Sequence, residues 1–212
     1  MGPQETYMPS TTGRPKRKRV AKPQEERLQD LLDAAQAVFY AKGVSDATVG
    51  EITDRAGVAK GTFYLYFQSK QHVVASLWER YVNDLLGIAD RTFDGWPGEQ
   101  GDVGVISDFI ESLTDHAIAH AELHRIVYSS ADAEALELCR SINQRVVDRL
   151  ADVIRRGNEA GLFRSTHPEL AARILYHGAH GTMNDATAGT VAADRDQLVA
   201  AFREVAGRVI TG

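Results

Sequence analysis

Residues Thr48 to Lys70 read T-V-G-E-I-T-D-R-A-G-V-A-K-G-T-F-Y-L-Y-F-Q-S-K, and this stretch decides the fold. Thr48 suits a helix N-cap, where its hydroxyl accepts a backbone N–H of the first turn. Glu51, at the third position after it, completes an S/T-x-x-E capping box. Val49, Ile52 and Ala56 recur at helical spacing and make one apolar face. Gly57 follows directly, where the chain must turn sharply and a positive φ costs glycine little. Val58 plugs the gap to a second short helix, predicted over 60–66. That helix opens with Lys60, Gly61 and Thr62: a charge, a bare backbone position and a small hydroxyl. Such an end permits close approach to a polyanion, and its free N–H groups suit phosphate oxygens. Ser69 caps the next helix, with Lys70 in its first turn. Two short helices around a glycine turn are the layout of a helix-turn-helix, which reads the major groove of DNA.

The block resembles the TetR family of bacterial repressors. The family pattern runs roughly A-T-V-x-x-I-A-x-x-A-G-V-S-K-G-T-x-Y-x-Y-F-x-S-K. The chain departs from it at Thr53, where alanine is usual, and at Ala59, where serine is usual and supplies a cap or phosphate contact. A lone A-G-V or Y-x-Y-F is a weak signal; the constellation over 23 residues is specific. The resemblance implies DNA contacts by Thr48, Lys60, Gly61, Thr62, Tyr64, Tyr66 and Lys70, with the two tyrosine hydroxyls on phosphates. On residue type alone Tyr64 and Tyr66 are also candidates for core, as Phe63 and Phe67 are. A plain buried hairpin leaves the crowding of Lys60, Thr62, Tyr64, Tyr66 and Lys70 unexplained.

Upstream, Leu28, Leu31, Leu32, Ala35, Val38 and Phe39 form one stripe over 25–42, and Gly43 ends it as a C-terminal glycine should. This predicts a first helix packed behind the helix-turn-helix. Ahead of it, residues 1–22 carry a charge of +5, against −10 for the remainder. The arm T-T-G-R-P-K-R-K-R-V-A-K-P concentrates that charge, and its composition predicts disorder when free. Arg17 and Arg19 are candidates to follow the DNA backbone or enter the minor groove; a solvated tail is the plainer reading.

The 212 residues hold one small and one larger domain. No apolar run approaches a membrane span and the N-terminus has no apolar signal core, so no membrane partner is expected. The single cysteine, Cys139, excludes an internal disulfide and suits a reducing, cytoplasmic setting. It reads as a buried filler rather than a redox thiol. Beyond Lys70 nearly everything has helical periodicity: 73–93, a loop D-G-W-P-G-E-Q-G-D at 94–102, then 103–119, 122–129, 133–160 stopped by Gly161, 168–187 opened by Pro168, and 194–210. The expected fold is all-α with about nine helices, the count and order usual in the TetR family. The domains expected are a basic arm at 1–23, a DNA-binding unit at 24–70, and an effector-binding and dimerisation unit at 71–212.

The histidines mark the second unit. His116, His120 and His124 follow H-x-x-x-H-x-x-x-H, and four-residue steps advance only about 40° around a helix, which puts them on one face with Phe109, Leu113 and Leu123; His124, falling after the expected helix break, is the weakest member of the set. A second helix offers His177 and His180, with Asn184 nearly in line with His177. By the resemblance both helices border a ligand pocket. The candidate effector contacts are Trp78, Phe109, Leu113, His116, His120, Asn143, His177 and Asn184. Three readings stay open. His116, His120 and His177 can chelate a metal ion, with Asn184 or Asp185 completing the shell. The cluster can hydrogen-bond an organic effector in an apolar pocket. Or the rings bond one another and fill a core. No cofactor is required on any of them except a metal on the first.

Gly178, Ala179, Gly181 and Ala186 make the penultimate helix rich in small residues, with Ala188 and Gly189 just past its end. Each internal glycine costs about 1 kcal/mol against alanine, which close helix approach offsets. The resemblance implies a homodimer through the last two helices, with Gly178, Leu198, Phe202 and Val205 at the interface, although burial within one subunit gives the same stripe on the last helix. No motif for a nucleophile or an acid–base pair stands out, so an enzyme is not expected. The expectation is a regulator that binds a palindromic operator as a dimer and is released by a small-molecule effector. The alternatives are a metal-responsive repressor and a DNA-binding dimer without effector.

Overall fold

The computed structural model describes residues 23–97 and 104–211, and these form nine α-helices without a strand. The arm residues Arg17 and Arg19 lie outside the described residues. Helix α1 (Gln24–Asp46) is interrupted at Gly43, whose φ of 81° lies in the region that favours glycine. Helix α2 (Val49–Ala56) carries the complete capping box: Thr48 Oγ1 accepts from Glu51 N at 3.2 Å while Glu51 Oε2 accepts from Thr48 N at 2.9 Å. Lys42 and the Thr48 groups hold the Glu51 carboxyl down at about 2. Gly57 ends α2 in the left-handed conformation, φ 67°. Thr53 is buried, and its hydroxyl donates back to the carbonyls of Val49 and Gly50 at 3.0 Å, which satisfies it.

Helix α3 (Lys60–Phe63) is shorter than the predicted 60–66. The chain continues through three-residue turns, with Leu65 N bonded to Thr62 O and Tyr66 N to Phe63 O. Ala59, at its N-cap, supplies no side-chain hydrogen bond. Helix α4 (Lys70–Thr92) is capped by Ser69, which accepts from His72 N at 3.2 Å. Its inner side runs through two cores. Val73, Val74, Leu77, Trp78 and Leu85 pack with Leu31, Phe39, Ile52, Phe63 and Phe67; Ala89, one turn further, packs with Phe93, Phe109, Ile154 and Phe163.

Helix α5 (Gly104–Ala119) breaks at His120, φ −111° and ψ 19°, and α6 (Ala121–Ser130) starts anew. Leu123, Ile126 and Val127 of α6 join the same core as α1. The expected boundary at residue 70 is therefore bridged by continuous apolar packing. Helix α7 (Ala133–Glu159) is capped by Asp132. Its Gly157 is required by packing, since a Cβ there would sit 2.0 Å from a ring carbon of Phe163. Helix α8 (Pro168–Thr187) has proline in its first turn, and α9 (Arg195–Thr211) closes the chain against α5. Arg195 bridges Glu111 at 2.8 Å and Asp115 at 2.5 Å, and Arg203 reaches Glu111 at 3.0 Å. No helix among the described residues is long and apolar enough to cross a membrane.

Candidate nucleic-acid interface and cavity

Five candidates for DNA contact lie on the helix-turn-helix itself, Thr48 at the N-cap of α2 and the others on or just after α3. Thr48, Lys60, Gly61 and Tyr64 are exposed, and Thr62 is half-buried. Among the described residues a Cβ on Gly61 would meet nothing within 4 Å, so their packing does not demand a glycine there. Tyr64 is 57% exposed although its ring edge packs on Phe63. Phe63 and Phe67 are core.

Two other candidates differ from expectation. The Lys70 ammonium does not face solvent as a phosphate grip. It donates to the carbonyls of Val44, Ser45 and Ala47 at 2.6, 2.9 and 2.6 Å, the groups left without helical partners where α1 ends after the Gly43 break. The Tyr66 hydroxyl donates to Gln24 O at 3.2 Å, tying the turn to the start of α1. Both side chains anchor the reading surface from behind.

The histidine cluster is built differently from a three-residue stripe. The break at His120 turns α6, so His124 is the buried member, only 2% exposed. His116 Nε2 donates to Tyr81 O at 3.2 Å, and His120 Nδ1 donates to His116 O at 2.8 Å. His124 Nδ1 donates to Asn184 Oδ1 at 2.9 Å. His180, which the effector set omitted, lies with its ring 5.3 Å from that of His124 and stacks on Tyr176. Burial pushes His124 down to about 4 and His180 down to about 3, so both rings are neutral near pH 7. His177 is exposed, and its ring packs edge-on against that of Tyr176. The rings of His116 and His120 lie 4.4 Å apart, but the expected metal set of His116, His120 and His177 is not assembled among the described residues. Among the described residues no group of three or more His, Cys, Asp or Glu side chains has metal-binding geometry.

Trp78 and Asn143, expected as effector contacts, pair with each other instead. The indole N–H donates to Asn143 Oδ1 at 2.7 Å in the interior, and neither residue lines either cavity. Cys139 is buried and its thiol is pushed up to about 11, which makes it a poor nucleophile.

A cavity of about 320 Å³ opens between α4, α5, α7, α8 and α9. Phe109 and Leu113 line it, together with Leu85, Leu86, Phe93, Ile154, Ala179 and Phe202. The Arg149 guanidinium in its wall is engaged by Asp90 at 2.8 Å and Asp152 at 3.3 Å. A smaller cavity of about 100 Å³ adjoins it through Leu85, Ile110, Leu113, Val146, Tyr176 and Phe202, and continues to Tyr81, Thr114, His124 and His180. The space is thus apolar along most of its length with polar rings at one end. His116, His120, His177 and Asn184 line neither part, though Asn184 orients His124 from behind. The sequence offered His180 beside His177 without choosing between them and gave no sign of Tyr176, because their convergence with α4 and α6 is a tertiary fact.

Of the expected interface residues, Gly178 and Val205 are exposed, as is Ile174 at 63%, and all three also line the larger cavity where it opens to the surface. Nothing lies within 4 Å of a Cβ placed on Gly178 or Gly181. Leu198 is not available to a partner: it is 5% exposed and packs with Ala117 and Met183 of its own chain. Phe202 is half-buried and faces both cavities.

A capped helix-turn-helix on an all-helical body with an open apolar cavity is the architecture of a DNA-binding transcriptional regulator. Residues 31–77 match the model of the bacterial regulatory proteins of the tetR family. The HTH-type transcriptional regulator AcrR of Shigella flexneri is 40% identical over 162 residues, covering 73% of this chain and 74% of AcrR. The chain belongs to the TetR family. Its fold is shared with a TetR-family transcriptional regulator from Mesorhizobium loti (TM-score 0.75, 19% identity, 91% of this chain and 100% of the other). It is shared too with SmeT, the repressor of the Stenotrophomonas maltophilia multidrug efflux pump SmeDEF (TM-score 0.69, 22% identity, 87% and 90%).

Proposed function

We propose that this regulator binds a palindromic operator as a homodimer and leaves it when a small, largely apolar molecule fills the cavity. The observation that carries the reading is the course of α4. It starts beside the DNA-reading turn, anchored by Lys70, and lines the cavity with Leu85, Leu86 and Ala89. A ligand that wedges α4 changes the position of the reading turn, provided that it binds the DNA-free conformation more tightly. Shared packing of α1, α4 and α6 supports transmission along the same route. SmeT, similar in fold, is also known in complex with triclosan.

The proposed DNA contacts are Lys60, Gly61, Thr62 and Tyr64, with Thr48 at the N-terminus of α2 and Arg17 and Arg19 on the arm. The proposed dimer face joins Ile174, Gly178, Gly181 and Val205. Open space beside the two glycines supports close approach by a second helix, which would offset their cost within α8. Selection from a random duplex library tests the reading. The expected product is an inverted repeat whose half-site centres lie about 34 Å or a multiple apart. Recovery of no sequence preference would overturn it.

A further inference from the structure

We infer that the molecule filling this cavity carries a neutral hydroxyl at its polar end, and that this hydroxyl donates its hydrogen bond to His124 Nε2. The inference rests on the effector reading above and deepens it. His124 Nδ1 is hydrogen-bonded to the oxygen of Asn184, so Nδ1 carries the proton and Nε2 presents a lone pair. Nε2 is buried and has no hydrogen-bond partner among the described residues. An acceptor in that state is costly unless something donates to it. The ring lines the smaller cavity, whose remaining walls are apolar apart from Tyr81, Thr114, Tyr176 and His180.

Thr114 already donates to Ile110 O at 2.8 Å. None of these groups is cationic near pH 7, since burial keeps both histidines neutral. A carboxylate brought to this end would lose its hydration without gaining a counter-charge. Arg149, in the wall of the larger cavity, is held by two aspartates. An ether or ketone would fill the space but has no proton to give Nε2. A hydroxyl does both, and its own oxygen remains free to accept from a tyrosine O–H.

Calorimetric titration of the full chain at pH 7 with octanol, octyl methyl ether and octanoate tests this. The expected order places octanol about tenfold tighter than the ether, the size of one net hydrogen bond, and octanoate weakest. His124→Phe should erase the preference for the alcohol while the ether still binds. If all three bind and octanol holds no advantage, the hydroxyl inference fails and the cavity reading stands. If none binds, the cavity reading fails and takes this inference with it. Nitrogen chemical shifts of the imidazoles give a second check that needs no variant. The unliganded wild-type chain should show His124 protonated at Nδ1, and a proton at Nε2, directed at the Trp78 or Tyr81 ring, would overturn the inference.

Discussion

Lys60 and Lys70 sit ten residues apart in one motif, yet their surroundings assign them opposite work. Lys60 is exposed, whereas Lys70 closes three carbonyls at the end of α1. Lys60→Ala and Tyr64→Phe should therefore weaken operator binding while changing unfolding free energy by less than about 0.5 kcal/mol. Lys70→Ala should lower stability by about 1–3 kcal/mol, because the carbonyls lose a charged donor. Urea unfolding alongside DNA titration separates the two classes, and an unchanged midpoint for Lys70→Ala would sink the anchoring role. Asn143→Ala leaves the buried Trp78 N–H unpaired and should cost about 1–3 kcal/mol by the same measurement. The capping box, the glycine turn and the core phenylalanines were legible in the sequence because each depends on neighbours a few residues away. The partners of Lys70 lie more than twenty residues upstream and that of Trp78 on α7, so neither set of hydrogen bonds could be foreseen from the motif or the resemblance.

At the scale of the helices, the instructive break is at His120. Four-residue spacing aligns side chains only while the helix is continuous, and the turn between α5 and α6 rotates His124 into the interior. The consequence is a pH dependence with a definite sign. Unfolded, a histidine titrates near 6.5; folded, His124 is pushed to about 4 by burial. Between those values the unfolded chain binds the extra proton, so the contribution is fully present above about pH 6.5 and is lost as pH falls toward 4. From pH 7 to pH 5 the loss from this ring is on the order of 2 kcal/mol. His124→Phe should flatten that slope in unfolding curves, and an unaltered slope would contradict the buried neutral ring. Gly157 makes a simpler case on α7. Gly157→Ala forces a Cβ into the Phe163 ring and should destabilise by about 1–3 kcal/mol, read as a lower Tm. Nothing in the sequence marks this glycine apart from the others, since its constraint comes from a ring across the α7–α8 turn.

Across the whole molecule the helix order was readable from periodicity, glycine stops and Pro168, and most boundaries agree within two residues with those observed. The cavity was not readable, because a void is what packing leaves and has no pattern of its own. It follows from the way α5, α8 and α9 lean on α4 and α7 around a set of apolar side chains. Helix α4 is the element that both the reading turn and the cavity share, and the central claim is that occupancy of one is felt at the other. The most direct measurement is fluorescence anisotropy of the selected operator duplex with this protein as octanol is raised through the range in which calorimetry shows the cavity filling. DNA affinity should fall at least about tenfold in step with occupancy, a coupling of roughly 1.4 kcal/mol. Saturation of the cavity with DNA affinity unchanged would contradict it.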